Sequence, residues 1–249
     1  MTDCTYEIMS AWPSRRENPS EVGRKFLATL DALTEADPGF ANWGTSDVDE
    51  TPRGQPIAPL RADFTRWVEA NVERDDWGKA WPQLGYSLWA ASRYRPNAPL
   101  DPKSVSFYLT AGSEQSNRNC FEAGRYGKAP DPSIVTYPGF KSALLTMISI
   151  WPAPWANARA ILWGEDVPIL PGEPPFPKSS YSMSWISYLC AERAAKVSVP
   201  EMVLAERTPD GGLLMIAAQT RFDPSNPEHR ARSRVMTEIM REHGGDPFW

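Results

Sequence analysis

Histidine is nearly missing from this chain, with two among 249 residues, His229 and His243. They lie 14 positions apart on one predicted helix, too far along its axis to share a metal ion without ligands from elsewhere. So few imidazoles also disfavour a Ser–His or Cys–His nucleophile pair. Glycine-rich phosphate loops, the G-x-S-x-G elbow, HExxH and paired CxxC spacings are all missing. No cofactor and no metal are therefore expected, nor catalysis of the common kinds. Cysteine is scarce and scattered, at Cys4, Cys120 and Cys190, an odd set read as reduced thiols. No run of about 18 apolar residues occurs, so no membrane-spanning helix is expected. The opening MTDCTYEIMSAWP has neither a basic start nor an apolar signal core, and a cytoplasmic location is the expectation.

Basic charge is short as well. The net charge is −5, and residues 1–80 alone hold 15 acids against 9 bases. Residues 81–219 hold 11 acids and 12 bases, and residues 220–249 hold five of each. The whole negative excess thus comes from the first third. A surface of that sign disfavours nucleic acid and steers a basic partner. Charge alone fits a plain soluble acidic surface equally well.

What the chain does have is a core. Hydrophobic residues make up 41%, enough to pack one large domain or two lobes. CTYEIMSAW reads as a strand. PSEVGRKFLATLDALTEADPG follows as a helix, with Ser20 as its cap and Val22, Phe26, Leu30 and Leu33 on one face. FANWGTS reads as a second strand, and LRADFTRWVEANV as a helix with Leu60, Phe64, Trp67, Val68 and Val72 inward. YSLWAASRY and SVSFYLTAG read as two strands expected to pair, the latter with Val105, Phe107 and Leu109 on one face. The order then restarts: a strand at NRNCFEAGR, a helix at YPGFKSALLTMISIW, and strands at WANARAILWG and YSMSWISYLCAE. A hairpin turning at Asp210-Gly211-Gly212 and a last helix opening at Asn226-Pro227 complete the chain. The expected fold is α+β, a mainly antiparallel sheet with helices packed on it. Strand, helix, strand and strand pair recur over 1–112 and 113–249, either two similar lobes or one continuous domain.

Three groups of residues could carry function. Asp47, Asp49 and Glu50 imitate part of a calcium loop but lack its central glycine and closing glutamate. Asp75 and Asp76 are adjacent and would face opposite ways in a strand, converging on a magnesium ion only in a turn. Trp77 and Trp81 stand beside them in VERDDWGKAWPQLG, which holds three acids, two bases and two tryptophans. Indoles beside acids suit a protein interface, because buried Trp anchors carry much of the energy at hot spots. They can equally cover the end of the second helix, with a bend at Trp81-Pro82. The proline-rich stretch 168–177 reads as a stiff surface connection.

The segment MSAWPSRRENPSEVGRKFLATLDALTEADPGFANW resembles the opening of the immunity protein 52 family: a strand ending in Trp12, a helix carrying GRKFLATLDAL, and the exit Pro38, Phe40, Trp43. The resemblance implies an α+β protein with no catalysis of its own. Such a protein serves as a cytoplasmic antidote to a toxin of a polymorphic or type VI secretion system, usually a nuclease of restriction-endonuclease-like fold. It transfers no contact residues. The partner is then a cognate toxin, not nucleic acid or membrane, and Asp47, Asp49, Glu50, Asp75, Asp76, Trp77 and Trp81 are the candidate face. The competing readings are a metal-dependent hydrolase using Asp75 and Asp76, and a non-catalytic assembly module.

Overall fold

The computed structural model describes residues 4–45, 54–96, 98, 101, 103–115, 119–125, 133–162 and 181–244. The elements run β1 (Cys4–Trp12), α1 (Pro19–Ala36), β2 (Gly44–Thr45), α2 (Ile57–Leu60), α3 (Phe64–Ala70), β3 (Tyr86–Ala91), β4 (Ser106–Ala111) and β5 (Asn119–Arg125). They continue with α4 (Tyr137–Ile150), β6 (Trp155–Leu162), β7 (Tyr181–Leu189), α5 (Ala191–Ala194), β8 (Leu204–Arg207), β9 (Leu213–Ile216) and α6 (Pro227–Ile239). The nine strands form a sheet in the order β2-β3-β4-β5-β1-β6-β7-β9-β8, an α+β fold as expected. By contacts the chain divides into two compact units, each assembled from separate stretches. One takes Ser10–Gly124 and Leu145–Pro152; the other takes Met1–Met9, Arg125–Leu144 and Ala153–Trp249.

In the first unit, α1 starts two residues earlier than a Ser20 cap would place it. Pro19 occupies the first helical position, where its missing N–H costs nothing, so Asn18 is the cap rather than Ser20. The Asn18 carboxamide oxygen accepts the Glu21 N–H at 2.8 Å and the Ser20 hydroxyl at 2.7 Å. Val22, Phe26, Leu30 and Leu33 are buried, the stripe that a 3.6-residue period demands. Phe26 meets Phe107 at 5.3 Å, Phe64 at 5.8 Å and Trp67 at 6.0 Å between ring centroids. The expected second helix is broken. Asp63 leaves helical geometry at φ −142°, so α2 ends in a 3-10 turn and α3 restarts at Phe64. Phe64 and Val68 are buried, while Leu60, Trp67 and Val72 are half-buried. The strand expected at residues 40–46 shrinks to Gly44–Thr45, because Pro38–Phe40 closes into a 3-10 turn.

A charged and aromatic ladder completes this core. Trp12 stacks on Trp151 at 5.5 Å, Arg15 lies 5.4 Å over Trp12, and Lys25 lies 5.2 Å over Trp151. Glu17 joins the two cations, 3.2 Å from Arg15 and 2.9 Å from Lys25. Burying charge is costly unless it is paired, and here each cation has both a carboxylate and a ring. The paired strands β3 and β4 run antiparallel from Tyr86↔Ala111 to Ala91↔Ser106, as their alternation suggests.

In the second unit, Tyr6 donates its hydroxyl to the Phe222 carbonyl at 2.7 Å and meets Trp185 edge-on at 5.8 Å. β6 and β7 pair from Trp155↔Leu189 to Leu162↔Tyr181 with a bulge at Ala158/Arg159, and Arg159 forms an ion pair with Glu7. β8 and β9 form the expected hairpin, with Gly211 at φ +82° in its turn, a backbone conformation that favours glycine. Asn226 caps α6 as its sequence indicates, accepting the Glu228 N–H at 2.9 Å. Cys4, Cys120 and Cys190, all among the described residues, are not joined in disulfides. Among the described residues no helix is long and apolar enough to cross a membrane.

Candidate partner-binding surface

Between α3 and β3 the first unit extends a short arm. Asn71 ends α3, and the chain then runs back on itself with antiparallel bridges Val72↔Tyr86 and Arg74↔Ala80. Glu73 donates its N–H to the Gly85 carbonyl at 2.9 Å, and Trp81 donates to the Glu73 carbonyl at 2.7 Å. The reversal therefore sits at residues 75–78, and not at Trp81-Pro82 as the sequence suggested. Pro82–Leu84 is instead a 3-10 turn that leads into β3.

Asp75 is built into this reversal. Its Oδ1 accepts the N–H of Trp77 at 3.0 Å and of Lys79 at 2.8 Å, the side chain bonding its own backbone two and four residues on. Its carbonyl accepts the Gly78 N–H at 2.9 Å, and Gly78 takes φ +78°, which closes the loop at no steric cost. Arg74 donates to the Gly78 carbonyl at 2.9 Å. At the root, the Glu73 carboxylate accepts the Ser87 hydroxyl, which lies 3.1 Å from the Tyr108 hydroxyl. The arm is thus tied at its base and braced at its tip.

The result is an indole held in water. Trp77 is 88% exposed and Trp81 is 42% exposed, and Asp76 beside them is also exposed. Asp75, Asp76, Trp77 and Trp81 are therefore brought together on one arm, but not as equals, since Asp75 spends its carboxylate oxygen on the turn. Asp47, Asp49 and Glu50 lie outside the described residues. The same holds for the proline-rich stretch 168–177. Among the described residues no three His, Cys, Asp or Glu side chains are grouped as a metal site.

Sequence reasoning did not find a second feature of this unit, a cavity of about 380 Å³ lined by Trp43, Ile57, Tyr94, Pro56, Asp31 and Arg61. Its residues come from four separate stretches, so no spacing advertises it. Arg61 donates both terminal nitrogens to the Asp31 carboxylate, one at 3.0 Å, which leaves that cation and anion matched at the cavity wall.

The sequence model of immunity protein 52 matches residues 4–245, nearly the whole chain. The chain belongs to the immunity protein 52 family. Comparison with the curated proteins gives no match. Among solved structures, the chain is similar to the Pseudomonas aeruginosa T6SS protein PA0821, at 10% identity and a TM-score of 0.48. That similarity covers 97% of this chain and 74% of the other. Among the described residues of this immunity protein 52 member, Trp77 is the most exposed large apolar side chain, and it stands on a braced arm.

Proposed function

We propose that this immunity protein neutralises a cognate toxin by binding it, that the toxin is a nuclease delivered by type VI secretion or a related polymorphic system, and that the arm at Asp75–Trp81 forms part of the docking face. The observation that carries the docking assignment is Trp77, 88% exposed at the tip of an internally braced turn. Trp77 and Trp81 are exposed on the same arm, and aromatic anchors of this kind dominate the energy of protein interfaces. The acidic excess of residues 1–80 supports a basic partner, and a nuclease needs a basic surface to bind DNA. Family membership supports a toxin as that partner. The acidic residues Asp47, Asp49 and Glu50 belong to the same proposal on charge alone.

Co-expression tests it. Cells carrying the toxin gene adjacent to this one should grow when the immunity gene is expressed and die when it is not. Calorimetry on the purified pair should show stoichiometric binding. Death despite expression, together with no binding heat, would sink the proposal.

A further inference from the structure

Resting on that reading, we infer that the arm from Val72 to Trp81 is a preformed anchor: Trp77 enters an apolar pocket on the toxin rimmed by Lys or Arg side chains, and Asp75 serves the arm rather than the partner. Three observations carry this. The Trp77 indole is almost wholly solvated, so a pocket on the partner would remove nearly its entire surface from water. Its backbone is fixed beforehand by the Asp75 bonds to the Trp77 and Lys79 N–H groups and by Gly78, so little conformational freedom is left to lose on docking. The charges around it lean acidic: residues 73–79 hold three carboxylates, Glu73, Asp75 and Asp76, against Arg74 and Lys79. Arg74 spends an N–H on the Gly78 carbonyl, and Asp76 is exposed next to Trp77 in the chain, so the tip offers an indole beside an exposed carboxylate. The complementary surface is an indole-sized apolar pocket with a basic rim.

The division of labour is what the experiment reads. Binding of the full-length chain to the catalytically silenced toxin encoded by the adjacent gene is followed by surface plasmon resonance, with thermal melts confirming that each variant folds. Trp77→Ala should weaken binding by about 30-fold or more, mainly through faster dissociation, as for a central anchor. Trp77→Phe should recover part of that loss. Asp75→Asn keeps an oxygen acceptor for the two N–H groups and should bind within about threefold of the parent, whereas Asp75→Ala should bind much more weakly. Wild-type binding with Trp77→Ala inside about twofold would overturn the anchor while leaving the toxin-binding function intact. Equal losses in Asp75→Asn and Asp75→Ala would overturn the bracing role and make Asp75 a direct charge contact. No binding by the wild-type chain would overturn the functional reading itself. If sedimentation shows self-association that Trp77→Ala abolishes, with toxin binding unchanged, the occupant is a second copy of this chain and the inference fails.

Discussion

Single side chains here are set by the partners their neighbours supply, and His229 shows the consequence. Its Nδ1 accepts the Asp223 N–H at 3.1 Å, and its ring lies 5.7 Å from that of Phe222. Burial holds its pKa below the ordinary value of 6.5, with the nearby Asp223 carboxylate opposing part of that shift. A proton on Nδ1 would remove the acceptor, so the neutral ring is the folded form. A depressed folded pKa means that the unfolded chain takes up the proton first. The stability due to neutral His229 is therefore complete above about pH 6.5 and is lost as pH falls below it. Urea midpoints measured from pH 7.5 to 5.5 should decline in the parent protein, and His229→Asn, which keeps an acceptor but cannot titrate, should decline less. Parallel decline in both would show that this ring is not the group responsible. The same attention to partners separates Asp75 from Asp76. In the sequence they are twins, but one is occupied by two backbone N–H groups and the other is exposed.

At the scale of elements, helix α1 was legible because a stripe of Val22, Phe26, Leu30 and Leu33 has one simple geometric meaning. Its start was less so. Ser20 and Asn18 both suit a cap, and Pro19 between them decides for Asn18, since proline fits the first helical position. Asn18→Ala should therefore cost about 1 kcal/mol of stability and Asn18→Ser much less, whereas Ser20→Ala should change little. Chemical denaturation of the three variants checks this, and a larger loss for Ser20→Ala would reverse the cap assignment. The break between α2 and α3 left no mark in the apolar pattern, because Leu60, Phe64 and Val68 keep helical spacing across the interruption. The arm's reversal was misplaced, at Trp81-Pro82, for a different reason. Its strands amount to single bridges, too short for any periodicity, although Asp75-Asp76-Trp77-Gly78 carries a turn signature of acid first and glycine last. The cavity beside Trp43 and Tyr94 was beyond reach, since tertiary packing of distant stretches alone creates it.

For the molecule as a whole, the proposed docking makes the uneven charge a matter of how a partner arrives. Net charge is −5, with 15 acids against 9 bases in residues 1–80. At physiological ionic strength the screening length is about 8 Å, so a distant charge contributes little to the encounter and one at the docking edge contributes much. Asp76→Lys and Glu192→Lys change the net charge equally, which separates local from overall attraction. Glu192 is exposed and pairs only loosely with Lys196 at 3.5 Å, so its reversal should leave the fold undisturbed. Association of the toxin with the parent chain should slow as salt rises. Asp76→Lys should lower the rate by about three- to tenfold at low salt and flatten that salt dependence, while dissociation barely changes. Glu192→Lys should leave both rates close to the parent values. If the two reversals slowed association equally, total charge would be steering the partner, and the arm would lose its claim to the docking edge. If neither did, attraction would have no part in the encounter, and Trp77 would have to hold the toxin by apolar contact alone.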